Sequence, residues 1–191
     1  MILFALAALV LLSVPLCAGS LRLLAKLEIN CLWAAPLALA LQVVILTLAP
    51  GGNHALHVAV HIGTYGLVAV FIWANRRLPG AVVIAAGTIS NTAAILANGG
   101  VMPRSATAQR LAGLTLGRGF HNAAVLAHPH LPWLGDIIPV PAFAFSNVLS
   151  VGDCLLFVGM TVLLHRTCGR AAIRGALIGC PVSSGNCRIA N

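Results

Sequence analysis

Four polar side chains inside otherwise apolar runs are the first candidates for chemistry. Gln42 lies seven residues before Ala49, His61 seven after His54, Asn91 seven before Asn98, and Asp153 six after Asn147. At about 1.5 Å of rise per helical residue, each sits roughly 10 Å inside the end of its run. A common depth in four separate segments predicts one polar layer, with Tyr65 and Thr88 extending it inward. Two chemistries fit. In the first the groups are interhelical hydrogen bonds, worth about 0.6–2 kcal/mol each in lipid. In the second they form a site, with Asp153 charged or sharing a proton with His61, suited to a proton relay, a cation or a lipid headgroup. Burial would raise the Asp pKa and lower that of His, and their pairing would do the reverse.

His54, His57 and His61 follow an i, i+3, i+7 pattern and share one helix face. Together with Asp153 they supply the donor types of a transition-metal site. The spacing matches no established metal motif, and hydrated, unliganded histidine near an interface accounts for it equally well. A haem would need a second helical His at the matching depth, and the sequence offers none. No other cofactor is signalled. Gly99-Gly100 is not a phosphate loop, because no Lys-Ser/Thr follows. It reads as a sharp chain exit, with Asn98 ending the helix before it. Arg104 then emerges near Asp136, to pair with that carboxylate or to meet a lipid phosphate. Ser146, Ser150 and Cys154 recur every four residues, but Asp153 would raise the neighbouring thiol pKa and there is no Gly-x-Ser-x-Gly elbow. Ser150 reads as a helix cap, and no catalytic residue is assigned. The six cysteines form no Cys-x-x-Cys pair.

The elements that would position these groups follow from composition. Of the 191 residues, 60% are hydrophobic and only 7% charged, against roughly 45–50% and 25% in average globular chains. That balance excludes disorder and points to an integral membrane protein. Five apolar segments approach the length of a spanning helix: about 2–18, 29–49, 54–74, 80–98 and 147–165. The flanks of the first favour a retained helix over a cleaved signal peptide. The expectation is therefore an all-α, polytopic membrane helix bundle of five transmembrane helices in one domain, 1–166. A tail at 167–191 would be cytoplasmic, poorly ordered or interfacial.

The net charge is +8, and its distribution predicts orientation. Arg22, Lys26, Arg76, Arg77, Arg166, Arg170, Arg174 and Arg188 fall on one side of such a bundle. Only Arg104, Arg110 and Arg118 fall on the other, so the N-terminus is expected outside and the C-terminus inside. No stripe of cations with interleaved aromatics suggests nucleic acid. Trp33 and Trp73 fit interfacial anchors. The long outer loop, 99–146, is expected to begin with a short helix capped by Ser105. Its Ile137–Phe145 stretch suits either re-entry into the membrane or a packed cap over the helix ends.

Three stretches carry a resemblance: Asn98-Gly99-Gly100-Val101-Met102-Pro103, Leu134-Gly135-Asp136-Ile137-Ile138-Pro139, and Ser150-Val151-Gly152-Asp153. Together they resemble a bacterial family of small multi-pass membrane proteins known only as a domain of unknown function, over about His61 to His165. The resemblance implies membrane topology and marks positions, and brings no activity with it. The expected location is the bacterial cytoplasmic membrane. The expected role is a non-enzymatic transporter, carrier or subunit of a membrane complex with an outward-facing polar site. The site would combine the layer of Gln42, His61, Asn91 and Asp153 with a mouth of Asn98, Gly99, Gly100, Arg104, Asp136 and Ser150. The partners are the lipid bilayer and either a second copy of the chain or another subunit. The alternative is a membrane-embedded enzyme acting on a lipid or headgroup from the outer face.

Overall fold

A computed structural model describes residues 2–17, 19–48, 54–114, 123–141 and 146–169. The main elements are α1 (Ile2–Leu16), α2 (Ala34–Leu48), α3 (His54–Ala74) and α4 (Ala81–Ala97), then β1 (Met102–Pro103), α5 (Ala106–Leu111) and β2 (Ala123–Ala124). They are followed by β3 (Asp136–Val140), β4 (Asn147–Ser150) and α6 (Val151–Cys168). Two 3-10 turns, Leu21–Lys26 and Pro132–Leu134, complete the order.

The five-span, all-α expectation is overturned. Among the described residues one helix, α6, is long and apolar enough to cross a membrane. Within the described residues α1 and α2 cover 15 residues each, about 22 Å of rise against a hydrocarbon core of roughly 30 Å. Helix α3 is 21 residues long, but its apolar stretch among the described residues is Ile62–Ala74. Helix α4 is held to 17 residues by its ends: Gly80 enters it at φ +80°, and Asn98 caps it. Apolar counting also misread two boundaries. Ile29–Trp33 lies before α2, in a turn where Cys31 has φ +53°. Asn147–Ser150 is a strand rather than the first turn of a helix. With the five spans goes the inside–outside assignment built on them.

Helix α4 packs along α6, α1 along α6, and α2 along α3, while α3 and α4 meet only sparsely. The α4–α6 pair is antiparallel and built on glycines seven residues apart on each helix. Gly80 lies against Gly159, and Gly87 against Gly152. A Cβ on Gly87 would come within 2.6 Å of Gly152 O, and one on Gly159 within 2.6 Å of Ile84 Cγ1. The two backbones are therefore closer than any larger residue allows. At the other end of α6, Val14, Leu164 and Cys168 form a buried cluster with Val10, Leu23 and Leu24 around it. There Ser13 Oγ donates to Val10 O at 2.7 Å and lies 2.9 Å from His165 Nε2, so the imidazole donates from Nε2. Asn75, buried, ties α3 to the chain before α2. Its Oδ1 accepts from Asn30 N at 2.9 Å and its Nδ2 donates to Asn30 O at 2.8 Å.

The segment between α4 and α6 is a small packed cap as far as it is described. β1 pairs in parallel with β2, and β3 pairs antiparallel with β4 through a bulge between Asp136 and Ile138. Of the two readings of Ile137–Phe145, the described part fits the packed cap, with Ile138, Pro139 and Val140 laddered to β4. Ser105 caps α5, its side chain accepting from Ala108 N at 3.3 Å. Ala108 and Ala112 then pack on Val148. The tail beyond Gly169, the Pro50–Asn53 turn, His121 and Arg118 lie outside the described residues.

Candidate functional site

Ser150 ends β4 and begins α6, and its backbone is extended, as an N-cap requires. Ser-x-x-Asp before an apolar run is a capping-box pattern, and both halves are present. Asp153 N donates to Ser150 Oγ at 2.9 Å, and Ser150 N donates to Asp153 Oδ2 at 3.0 Å. Asn91 of α4 closes a ring over this box. Its Nδ2 donates to Asp153 Oδ1 at 2.9 Å and its Oδ1 accepts from Ser150 Oγ at 2.8 Å. The close approach of Gly87 and Gly152 lets such short side chains bridge two helices. Ser150 is fully buried, and each of the four bonds is internal to the ring.

Asn98 ends α4 in a Schellman motif. Gly99 N donates to Leu96 O at 3.3 Å and Gly100 N to Ile95 O at 2.9 Å, with both glycines at positive φ. The Asn98 side chain holds the loop above it, accepting from His130 N and donating to His130 O, each at 2.8 Å. From there the chain reaches Arg104, whose Nη2 and Nε donate to Asp136 Oδ2 at 3.1 and 3.2 Å. Backbone bonds fix the same pair: Ser105 N donates to Asp136 O at 2.9 Å, and Arg104 N to Ala124 O at 2.8 Å. Gly135 packs so tightly on Pro103 that a side chain there would meet the Pro103 carbonyl. Asp136 in turn stands opposite Ser150 in the β3–β4 ladder. All three motifs behind the resemblance thus converge at one end of the α4–α6 pair.

Burial pushes the Asp136 carboxyl up to about 6. The Arg104 guanidinium, through its charge and its hydrogen bond, pulls it down, and the Asp153 carboxylate adds a smaller upward push. At neutral pH the pair is therefore ionised, but desolvation outweighs what Arg104 supplies.

The structure brings together Asn91, Asp153 and Ser150, and next to them Asn98, Gly99, Gly100, Arg104 and Asp136. Gln42, His54, His57 and His61 lie on α2 and α3, and their side chains are outside the described residues. Among the described residues no three His, Cys, Asp or Glu side chains converge as a metal site would need. Asp153 uses both carboxylate oxygens within the ring. Thr88 bonds its own helix, Oγ1 donating to Ile84 O at 3.0 Å.

Three features escaped the sequence reading. One is the heptad glycine pairing of α4 and α6, for which the two seven-residue Gly spacings were the available signal. Another is the Asn30–Asn75 exchange, which has no local signature. The third is an apolar groove between α3 and α4, described below.

Residues 26–165 match the model of a family of unknown function (DUF5317), and the chain belongs to that family. It is similar to a protein of Thermotoga maritima described as an uncharacterized protein, 36% identical over 93 residues. That match covers 48% of this chain and 54% of the relative, so the chain spans about half the length of that protein. No solved structure matches the chain.

Proposed function

We propose that the protein is a membrane component without a reaction of its own, working as a carrier or as a subunit of a membrane assembly. The observation that carries this reading is the apolar surface of its helices. Leu9 and Leu12 on α1, Leu39 and Val43 on α2, Ile62 and Val70 on α3, Val82 and Ile89 on α4, and Val158 on α6 are all exposed. Large apolar side chains exposed on five helices are suited to meet lipid or another protein, and α6 has the length and composition to cross a bilayer. The polar ring of Asn91, Ser150 and Asp153 supports the non-enzymatic reading. Its members bond one another and cap α6, which is what interhelical glue does.

The test is membrane fractionation of expressing cells followed by an alkaline carbonate wash, then cross-linking of the retained protein. The expected result is retention in the washed membrane and a cross-linked species larger than the monomer. Release into the supernatant as a chain that stays monomeric without detergent would overturn the reading.

A further inference from the structure

Sparse contact between α3 and α4 leaves a groove of about 580 Å³. Its lining is apolar, with Tyr65, Ala69, Ile72, Val82, Ala85 and Ile89 among its walls. Along α4 the lining runs from Ala81 to Leu96, about 22 Å of helix, which is the reach of a single fatty acyl chain. At one end of the groove stand Trp73 and Arg76. Arg76 lies over the Trp73 ring, its Cζ 4.5 Å from the centroid, and its Nη1 donates to Trp73 O at 2.9 Å.

Arg76 also lines a second, polar cavity of about 620 Å³, which includes Lys26, Glu28, Asn30 and Arg77. The Asn30–Asn75 exchange holds Lys26 and Glu28 near the end of α3, so this basic rim is positioned by a pair of part-buried hydrogen bonds. Three cations face one carboxylate there. The molecule therefore presents an apolar slot and a net-positive chamber that share one arginine, beside a tryptophan of the kind found at headgroup depth.

We infer that this slot and the chamber beside it, joined at Arg76, bind one anionic phospholipid, with an acyl chain along α3 and α4 and the phosphate between Lys26, Arg76 and Arg77. The inference rests on the membrane reading above and names a ligand for it. Neither half of the site suffices by itself: the slot has one arginine, at its end, to select a headgroup, and the chamber lacks apolar wall to hold a chain.

The test uses the full chain in detergent, with Trp33→Phe and Trp133→Phe leaving Trp73 as the reporter. Lipids brominated on the acyl chain serve as quenchers. Phosphatidylglycerol is expected to quench saturably at a concentration about twenty-five-fold below phosphatidylcholine, the product of about fivefold for each of Arg76 and Arg77. Arg76→Gln combined with Arg77→Gln should erase that preference. Ala85→Phe, which keeps every cation and fills the slot, should abolish saturable quenching. Equal quenching by the two lipids, or an unchanged preference in the double variant, would overturn the inference. So would complete displacement of the lipid by an equal concentration of inorganic phosphate, which would make free phosphate the ligand. A chain that needs detergent yet shows no selectivity defeats this inference alone. A chain that stays monomeric without detergent defeats the membrane reading beneath it.

Discussion

Replacing Gly152 by alanine tests the central contact of the molecule. The added methyl would come within 2.7 Å of Gly87 O, a backbone atom, and would run into the Asn91 side-chain amide. Alanine ordinarily favours a helix over glycine by about 1 kcal/mol, so propensity alone predicts stabilisation. Against it stand overpacking, typically about 1–3 kcal/mol, and the hydrogen bonds that Asn91 accepts from Ser150 and donates to Asp153, about 1 kcal/mol each when broken. The opposing terms exceed the gain, and the net loss is about 2–4 kcal/mol. For a chain of this size that lowers the melting temperature by roughly 4–16 °C. Thermal unfolding in detergent, followed by circular dichroism, reads the shift. Gly63→Ala is the control, because nothing lies within 4 Å of a Cβ built there, and it should be neutral or stabilising by up to about 1 kcal/mol. If Gly152→Ala melts at or above the wild-type temperature, the close packing of α4 on α6 is not what holds Asn91 over the capping box.

Two further outcomes follow from the same end of the molecule. Burial raises the folded-state Asp136 carboxyl to about 6 from 3.8, so between these values the native state keeps a proton that the unfolded chain has lost. Its contribution is therefore complete below pH of about 4 and is lost as pH rises through about 6, a decline of up to about 3 kcal/mol. Denaturation midpoints measured across that window should fall with pH in the wild type and flatten in Asp136→Asn, and an unaltered slope in the variant would assign the effect elsewhere. Asp153→Asn turns one carboxylate oxygen into a donor that faces either the Asn91 amide or Ser150 N. It should cost about 1–2 kcal/mol, and a melting curve superimposable on wild type would show that the ring contributes nothing to stability.

Much of the polar end was legible because its signals are local. Ser150 before an apolar run marks a helix cap, although its capping-box partner Asp153 was counted with the polar layer, and Asn-Gly-Gly marks a helix exit that needs positive φ. The pairing of Arg104 with Asp136 was also readable, since acids are so few that a partly buried arginine has little choice of partner. Boundaries were less legible. Val148 and Leu149 are as apolar as the helix that follows, so hydropathy runs them together, whereas the structure spends them in a ladder with Pro139 and Ile138.

Depth counting brought Asn91 and Asp153 into one layer, and the structure does join them, but for a different reason than a shared distance from a membrane surface. The residues that set their meeting are Gly87 and Gly152, of which Gly87 reads as a small residue that permits close helix contact while its partner on α6 has no such signal. Their backbones approach until an asparagine on one helix can satisfy both the hydroxyl and the carboxylate that cap the other. Asn30 and Asn75 make the same point from the opposite end, exchanging two hydrogen bonds across 45 residues of sequence. That exchange carries Lys26 to Arg76 and Arg77, and so assembles a basic chamber from cations that the sequence lists far apart. Charge counting along the chain registers those cations as a topological bias. Only the packing shows that three of them share one cavity and that one also closes an apolar groove, which is the step from a distribution of charge to a site for an anionic amphiphile.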